Sequence, residues 1–232
     1  MVHYFLLACV LLLLAAFFIA KRGSRVSDTA GFMSWIMLIF YFPVEWIVTS
    51  RMISTYSFMN QPMSDLGVER CMSHAYSLAP YHICSPLSGL MNITFIVTGI
   101  LIALGAVLLH RFFGEGTGVR IATGMWIVYG LGYSISGIFP ADINFAVHTI
   151  FSLPGMVLQI PAMIIIAKSI RDRMPGFSVW TYICMGLSAL SLVVILIGFA
   201  PGLMQRLLYG FVWLWMIVGA IILWRTDITR RA

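Results

Sequence analysis

Seven apolar stretches, each close to 20 residues long, succeed one another along this chain of 232 residues. A run of about 20 apolar residues is what an α-helix needs to cross a hydrocarbon core of about 30 Å. Inside that core every backbone N–H and C=O must be satisfied within the chain, so only helices or a closed barrel can form. Continuous rather than alternating apolar runs select the helix. Composition agrees: 61% of the residues are hydrophobic and 9% charged, against roughly 25% charged in soluble domains. The predicted fold is all-α: a polytopic membrane bundle of seven transmembrane helices. Residues 1–232 form a single transmembrane domain.

The predicted spans are Tyr4 to Ala20, Ala30 to Ser50, Leu87 to Leu109, a fourth that ends at Phe139, Asn144 to Ala167, Ser178 to Phe199, and Leu207 to Trp224. A connection at about 51–86 separates the second from the third. On this reading eleven of the fourteen Lys and Arg residues fall on one side, and only Arg51, Arg70 and Arg206 fall on the other. Cytoplasmic loops carry the excess of Lys and Arg, so the N-terminus is expected outside and the C-terminus inside, with the 51–86 loop outside. No Lys or Arg precedes the first apolar run while Lys21, Arg22 and Arg25 follow it, the reverse of a cleavable signal. The formal charge of +6 is explained by this bias. No clustered basic face or motif points to nucleic acid, and none is expected as a partner. Trp35, Trp46, Trp126, Trp180 and Trp224 fall toward span ends, as interfacial anchors do.

The residues capable of chemistry gather on the other side. Glu45 lies about 8 Å inside the second helix, two residues after Pro43. An ionisable group there costs at least about 2.5 kcal/mol unless it faces a polar interior, which makes it a binding candidate. Asp142 is placed to cap the fifth helix. His148 stands about 9 Å further along that helix, facing the bundle. The loop contributes Pro62 to Glu69, read as a polar patch that includes Ser64 and Asp65. Asn92, Thr94, Thr98, Tyr133, Ser134 and Ser136 fall at similar depth, so these groups are expected to line one polar pocket that opens outward. Glu45, Ser64, Asp65, Asn92, Tyr133, Asp142 and His148 are the expected ligand-binding residues. Cys71 and Cys84 enclose twelve residues. Outside a membrane such a pair oxidises, and His74 and His82 beside it form no established zinc pattern, so a disulfide is expected and no metal site. Cys9 and Cys184 read as small core residues.

Three segments carry a resemblance. They are Pro62-Met63-Ser64-Asp65-Leu66-Gly67 with the run from Pro86 to Ala106, then Gly137 to Asp142 followed by His148, and Gly202-Leu203-Met204-Gln205-Arg206 before a Trp-rich last helix. In order and spacing the chain resembles the prokaryotic membrane family known as domain of unknown function 998. The resemblance implies a multi-helix protein of the prokaryotic plasma membrane and supplies no activity. Seven helices with Ser, Asp and His near one face are also similar to the ceramidase and adiponectin-receptor superfamily of zinc amidohydrolases. The seventh span here contains no His, which departs from that pattern.

The leading expectation is a protein that binds or moves a lipid headgroup or small amphipathic molecule, with membrane lipid as its partner and no cofactor. One alternative is a structural or partner protein of the immunity or envelope-stress kind. Another is a membrane-embedded lipid hydrolase in which His148, with Asp65, Asp142 or Glu45, activates water; zinc enters only there. Whether the chain is an enzyme, and whether it forms oligomers, stay open on sequence.

Overall fold

Pro43 breaks the second span. In the computed structural model, which describes the backbone of residues 2–231 and the side chains of residues 2–227, that span covers Arg25–Ser50 in three pieces. These are α2 (Arg25–Ile36), a 3-10 turn (Met37–Phe40) and α3 (Tyr41–Ser50). Proline offers no N–H to the carbonyl four residues back, and its ring crowds that carbonyl. Here it belongs to Ile39, inside the 3-10 turn. The other spans are α1 (Val2–Ala20), α4 (Ser88–Phe113), α5 (Thr117–Ile138), α6 (Phe145–Ile170), α7 (Pro175–Leu196) and α8 (Pro201–Arg231).

Seven segments are therefore long and apolar enough to cross a membrane, as the apolar runs predict. Their ends differ by a few residues where caps decide. The second span starts at Arg25 because Ser24 accepts the N–H of Ser27 at 3.2 Å. The last begins at Pro201, since proline is tolerated in a first helical turn. The side chains of Arg230 and Arg231 lie outside the described residues.

At the centre, α4 packs against α5, α2 and α1, while α8 packs against α7 and α2. Lipid tails supply no hydrophobic drive between helices, so close approach of small residues matters more. At the α4–α5 crossing a Cβ on Gly99 would stand 2.2 Å from the Gly130 carbonyl oxygen, so this pair must stay glycine. The α1 helix is peripheral. It buries Tyr4, Ala8 and Ala15 with Leu11 beside them, a stripe at helical spacing, and leaves its other faces to lipid.

An aromatic core replaces the expected set of interfacial anchors at two positions. Trp35 and Trp126 are buried, and both pack on Trp215 with ring centres 5.6 and 5.4 Å away. Three buried indole N–H groups find protein acceptors, while that of Trp126 has none among the described residues. Trp213 donates to the Tyr129 hydroxyl at 2.9 Å, Trp215 to Thr181 Oγ1 at 2.8 Å and Trp35 to the Ile102 carbonyl at 3.2 Å. Trp46, exposed at 73%, is placed as an anchor would be.

The connection between α3 and α4 is folded. Strands β1 (Met72–Ser73) and β2 (His82–Ile83) pair antiparallel, and Cys71 and Cys84 beside them form the expected disulfide. Val68, Tyr76, Ala79 and Ile83 close a small apolar core with Ala141 from the α5–α6 connection. This segment caps one end of the bundle, hereafter the loop end. The opposite end, which carries Lys21, Arg22, Arg111, Arg120, Lys168 and Arg173, is the basic end.

Candidate functional site

Much of the expected polar patch is turned inward. Met63–Gly67 forms a 3-10 turn with Asp65 buried beneath it. Its carboxylate accepts from Gln61 Nε2 at 3.1 Å, from the Tyr81 hydroxyl at 2.9 Å and from the Tyr76 hydroxyl. Burial holds Asp65 above its ordinary pKa, and the hydrogen bonds from Tyr76, Tyr81 and Gln61 only partly offset this. Burial, reinforced by Asp65, raises both phenols in turn. Gly67 is fixed through its carbonyl, which accepts from Asn92 Nδ2 on α4 at 2.9 Å.

Asp142 does not cap α6. That role belongs to Asn144, whose side chain accepts the Val147 N–H at 3.1 Å. The chain between Asp142 and the helix makes an extra turn, in which Ile143 and Asn144 both donate to the Pro140 carbonyl, and this carries Asp142 off the helix axis. Its Oδ2 instead accepts the backbone N–H groups of Glu69 and Arg70, each at 3.2 Å, and so ties the 51–87 loop to the α5–α6 connection. Burial raises its pKa against those two bonds. Asn92 and Asp142 thus fasten the loop to the rest of the bundle, while Asp65 ties the loop to itself.

Glu45 meets a partner that the sequence reading leaves outside the bundle. Arg206, on the first turns of α8, is 8% exposed and Glu45 is 6% exposed. Arg206 Nε donates to Glu45 Oε1 at 2.7 Å. Its Nη1 donates to the carbonyls of Gly202 at 2.9 Å and Gln61 at 3.0 Å, and its Nη2 to the Tyr56 hydroxyl. The guanidinium also lies 4.1 Å from the Phe58 ring centre. Two buried charges are tolerated because each is paired and hydrogen-bonded. Gly202 permits this assembly, because a Cβ there would stand 2.3 Å from the Gln61 carbonyl oxygen. The signal that could have found Arg206 is depth. It lies five residues inside the start of α8 and Glu45 five residues inside the end of α3, about 8 Å from the same end of the bundle.

Two hollows flank this pair. One is a recess of about 30 Å³ that gathers Ser64, Tyr133 and His148 with Ser136 and Gln205. It has the volume of a single water. His148 is oriented there by its Nδ1, which lies 2.9 Å from the Ser136 carbonyl and 3.0 Å from that of Phe139. Carbonyls only accept, so Nδ1 carries the proton and Nε2 is left as the acceptor of the neutral ring. Gln205 Oε1 accepts the Met63 N–H at 2.9 Å and closes the recess from above.

The other hollow is a groove of about 330 Å³ between α3 and α8. It exists because of the Pro43 break: α2 and the 3-10 turn pack on α8, and beyond the break α3 packs on α4. The α8 wall carries Leu203, Arg206, Leu207, Gly210 and Leu214, a helical stripe about 16 Å long. Across from it stand Tyr41, Phe42 and Glu45, with Met63 shared between groove and recess. Phe42, Phe58 and Leu214 at its margins are exposed. The hydroxyls of Tyr41 and Tyr133 are buried and face each other.

Among the described residues, no group of three or more His, Cys, Asp and Glu side chains is close enough to hold a metal ion. Cys71 and Cys84 are consumed by their disulfide, and Cys184 is buried in the core.

A bundle of seven candidate spans, sealed at one end by a folded loop and carrying a buried ion pair beside a lateral groove, defines a multi-pass membrane protein. The chain belongs to the DUF998 family, described as proteins of unknown function, whose model matches residues 35–222. The match begins within α2, so α1 lies outside it. No curated protein and no solved structure matches the chain.

Proposed function

We propose that this chain binds a single-chain amphiphile in the groove between α3 and α8, with its polar head at the loop end beside Glu45 and Arg206. The observation that carries the reading is an apolar groove, open at its margins, with a buried ion pair on its wall. Its volume falls within the range of about 300–1,000 Å³ usual for small-molecule sites. The stripe of about 16 Å reaches roughly half of a 30 Å hydrocarbon core, which suits one acyl chain. The pair is balanced in charge, so a neutral or zwitterionic head is favoured over a strongly anionic one. Ser64, Tyr133 and His148 form a water-sized polar recess nearby. The loop end is assigned to the outer face by the Lys/Arg bias.

Gly210 provides the test. A Cβ at this position meets only Phe42, at 3.9 Å, so Gly210→Leu fills the groove and leaves the ion pair untouched. In micelles of a neutral detergent, the parent is expected to gain thermal stability from lysophosphatidylcholine and the variant to gain little. Equal shifts in both proteins would sink the groove assignment.

A second reading draws on the Arg206 hydrogen bonds. A guanidinium that holds three segments together is also what a structural or partner protein needs, with the capped loop as its docking face. On that reading Arg206→Ala lowers stability, Gly210→Leu changes nothing, and no amphiphile shifts the melting point.

A further inference from the structure

We propose a second, independent lipid site at the basic end: a cleft between α1, α4 and α5 that binds the phosphate of an anionic phospholipid through Arg22 and Arg120. The cleft has a volume of about 340 Å³, and among the described residues no carboxylate lines it. Its cations come from two places, Arg22 just after α1 and Arg120 on the first turn of α5, and His110 near the end of α4 lines the cleft beside them.

The Arg120 position is electrostatically unfavourable by itself. A helix N-terminus carries about half a positive charge, and a cation there is opposed by it. Arg120 and Arg22 both line the cleft, where a single anion would satisfy them together. His110 is already oriented. Thr123 Oγ1 donates its only hydrogen to the Val119 carbonyl at 2.9 Å, so it accepts at 2.7 Å from His110 Nδ1. The His110 Nδ1 therefore carries a proton, and its bond to Thr123 fixes the ring as part of the cleft wall.

A neighbouring hollow at the same end serves as a contrast. It is lined by Arg111 and Arg173 but also by Asp227. Arg111 pairs with the buried Asp28, and Arg173 donates to the Phe113 carbonyl at 2.7 Å. Cations there are answered within the protein. In the cleft they are not.

Lipid rather than free phosphate follows from the walls. Below the charged rim the cleft continues over Val107, Gly124 and Ile127. Arg120, Thr123, Gly124 and Ile127 share one face of α5, over a depth of about 10 Å. A Cβ on Gly124 would meet nothing within 4 Å, so the chain below a phosphate has room. Basic pockets between transmembrane helices are a known geometry for anionic headgroups.

The test is thermal unfolding of the full chain in neutral detergent micelles doped with phosphatidylglycerol, with phosphatidylcholine, or with inorganic phosphate alone. Phosphatidylglycerol is expected to raise the melting temperature by about 2–4 °C, the other two by less than 1 °C. The Arg22→Ala/Arg120→Ala variant is expected to lose that increment and to melt with the parent in phosphatidylcholine. Gly124→Leu, which blocks the cleft and keeps every charge, is expected to lose it as well. An increment that survives in Gly124→Leu, or one that inorganic phosphate reproduces, overturns the proposal. Neither outcome bears on the α3–α8 groove, which Gly210→Leu tests separately.

Discussion

Two charged sites, one at each end of the bundle, handle charge in opposite ways. At the loop end Glu45 answers Arg206, and three separate carboxylate or amide side chains fasten one connection. At the basic end Arg22 and Arg120 stand around a cleft that no carboxylate lines among the described residues. The difference follows from depth. A charge about 8 Å inside a span has no water and must be paired within the protein. A charge at the rim reaches water or a lipid phosphate, so the fold need not supply its partner.

The largest break in this comparison comes from Arg206→Ala. It leaves Glu45 buried without its partner and frees the Gln61 and Gly202 carbonyls, and a loss of about 3–5 kcal/mol is expected. Equilibrium unfolding in mixed micelles would measure it. Replacing both members, Glu45→Met with Arg206→Met, is expected to return most of that stability, since a buried pair is often worth no more than an apolar substitute. If the double variant is as unstable as Arg206→Ala, the pair contributes structure that packing cannot replace.

Next comes the disulfide. Cys71→Ser with Cys84→Ser opens a loop whose closure is worth about 3 kcal/mol. Hydrogen exchange should rise across residues 51–86 while α4 and α5 stay protected. A uniform rise over the whole bundle would show that the loop is not a separable cap.

A smaller effect is expected from pH. Asp65 has its pKa raised in the fold, above the ordinary 3.8. The folded chain therefore binds this proton more readily than the unfolded chain. The resulting stability is fully present below the ordinary value and is lost as pH rises through the raised one. Acidification from neutral pH toward about 4 is thus expected to protect the loop segment, and Asp65→Asn to flatten that dependence. Loop protection that falls on acidification in the parent would reverse the assigned sign.

The smallest effect is expected at the basic end. In neutral detergent, Arg22→Ala with Arg120→Ala should change stability by no more than about 0.5 kcal/mol, as surface substitutions do. A large loss there would mean these cations are answered inside the protein after all, and the contrast between the ends would fail.

Hydropathy was enough to read seven spans and the loop between the second and third, because each apolar run carries its own transfer energy and needs no partner to be recognised. The Cys71–Cys84 bond was legible for a similar reason: two thiols lie close in sequence on one loop. Glu45 stood out by depth alone. What sequence could not give was pairing. Asp142 has the local look of a helix cap, and only the packing of the loop against the α5–α6 connection turns it toward Glu69 and Arg70. Trp35 and Trp126 lie where anchors belong along the chain, but helix rotation aims them at Trp215. Ser64, Tyr133 and His148 do meet, in a recess far smaller than one shared pocket, because Asp65, Asn92 and Asp142 are drawn into the loop. Arg206 meets Glu45 across 161 residues, a distance that no local pattern spans. The sequence by itself determined that this chain has seven stretches long and apolar enough to cross a membrane and which residues are costly to bury. Which of them share a site was decided by tertiary structure, since the break at Pro43 and the crossing of glycines at α4 and α5 set which helix faces meet.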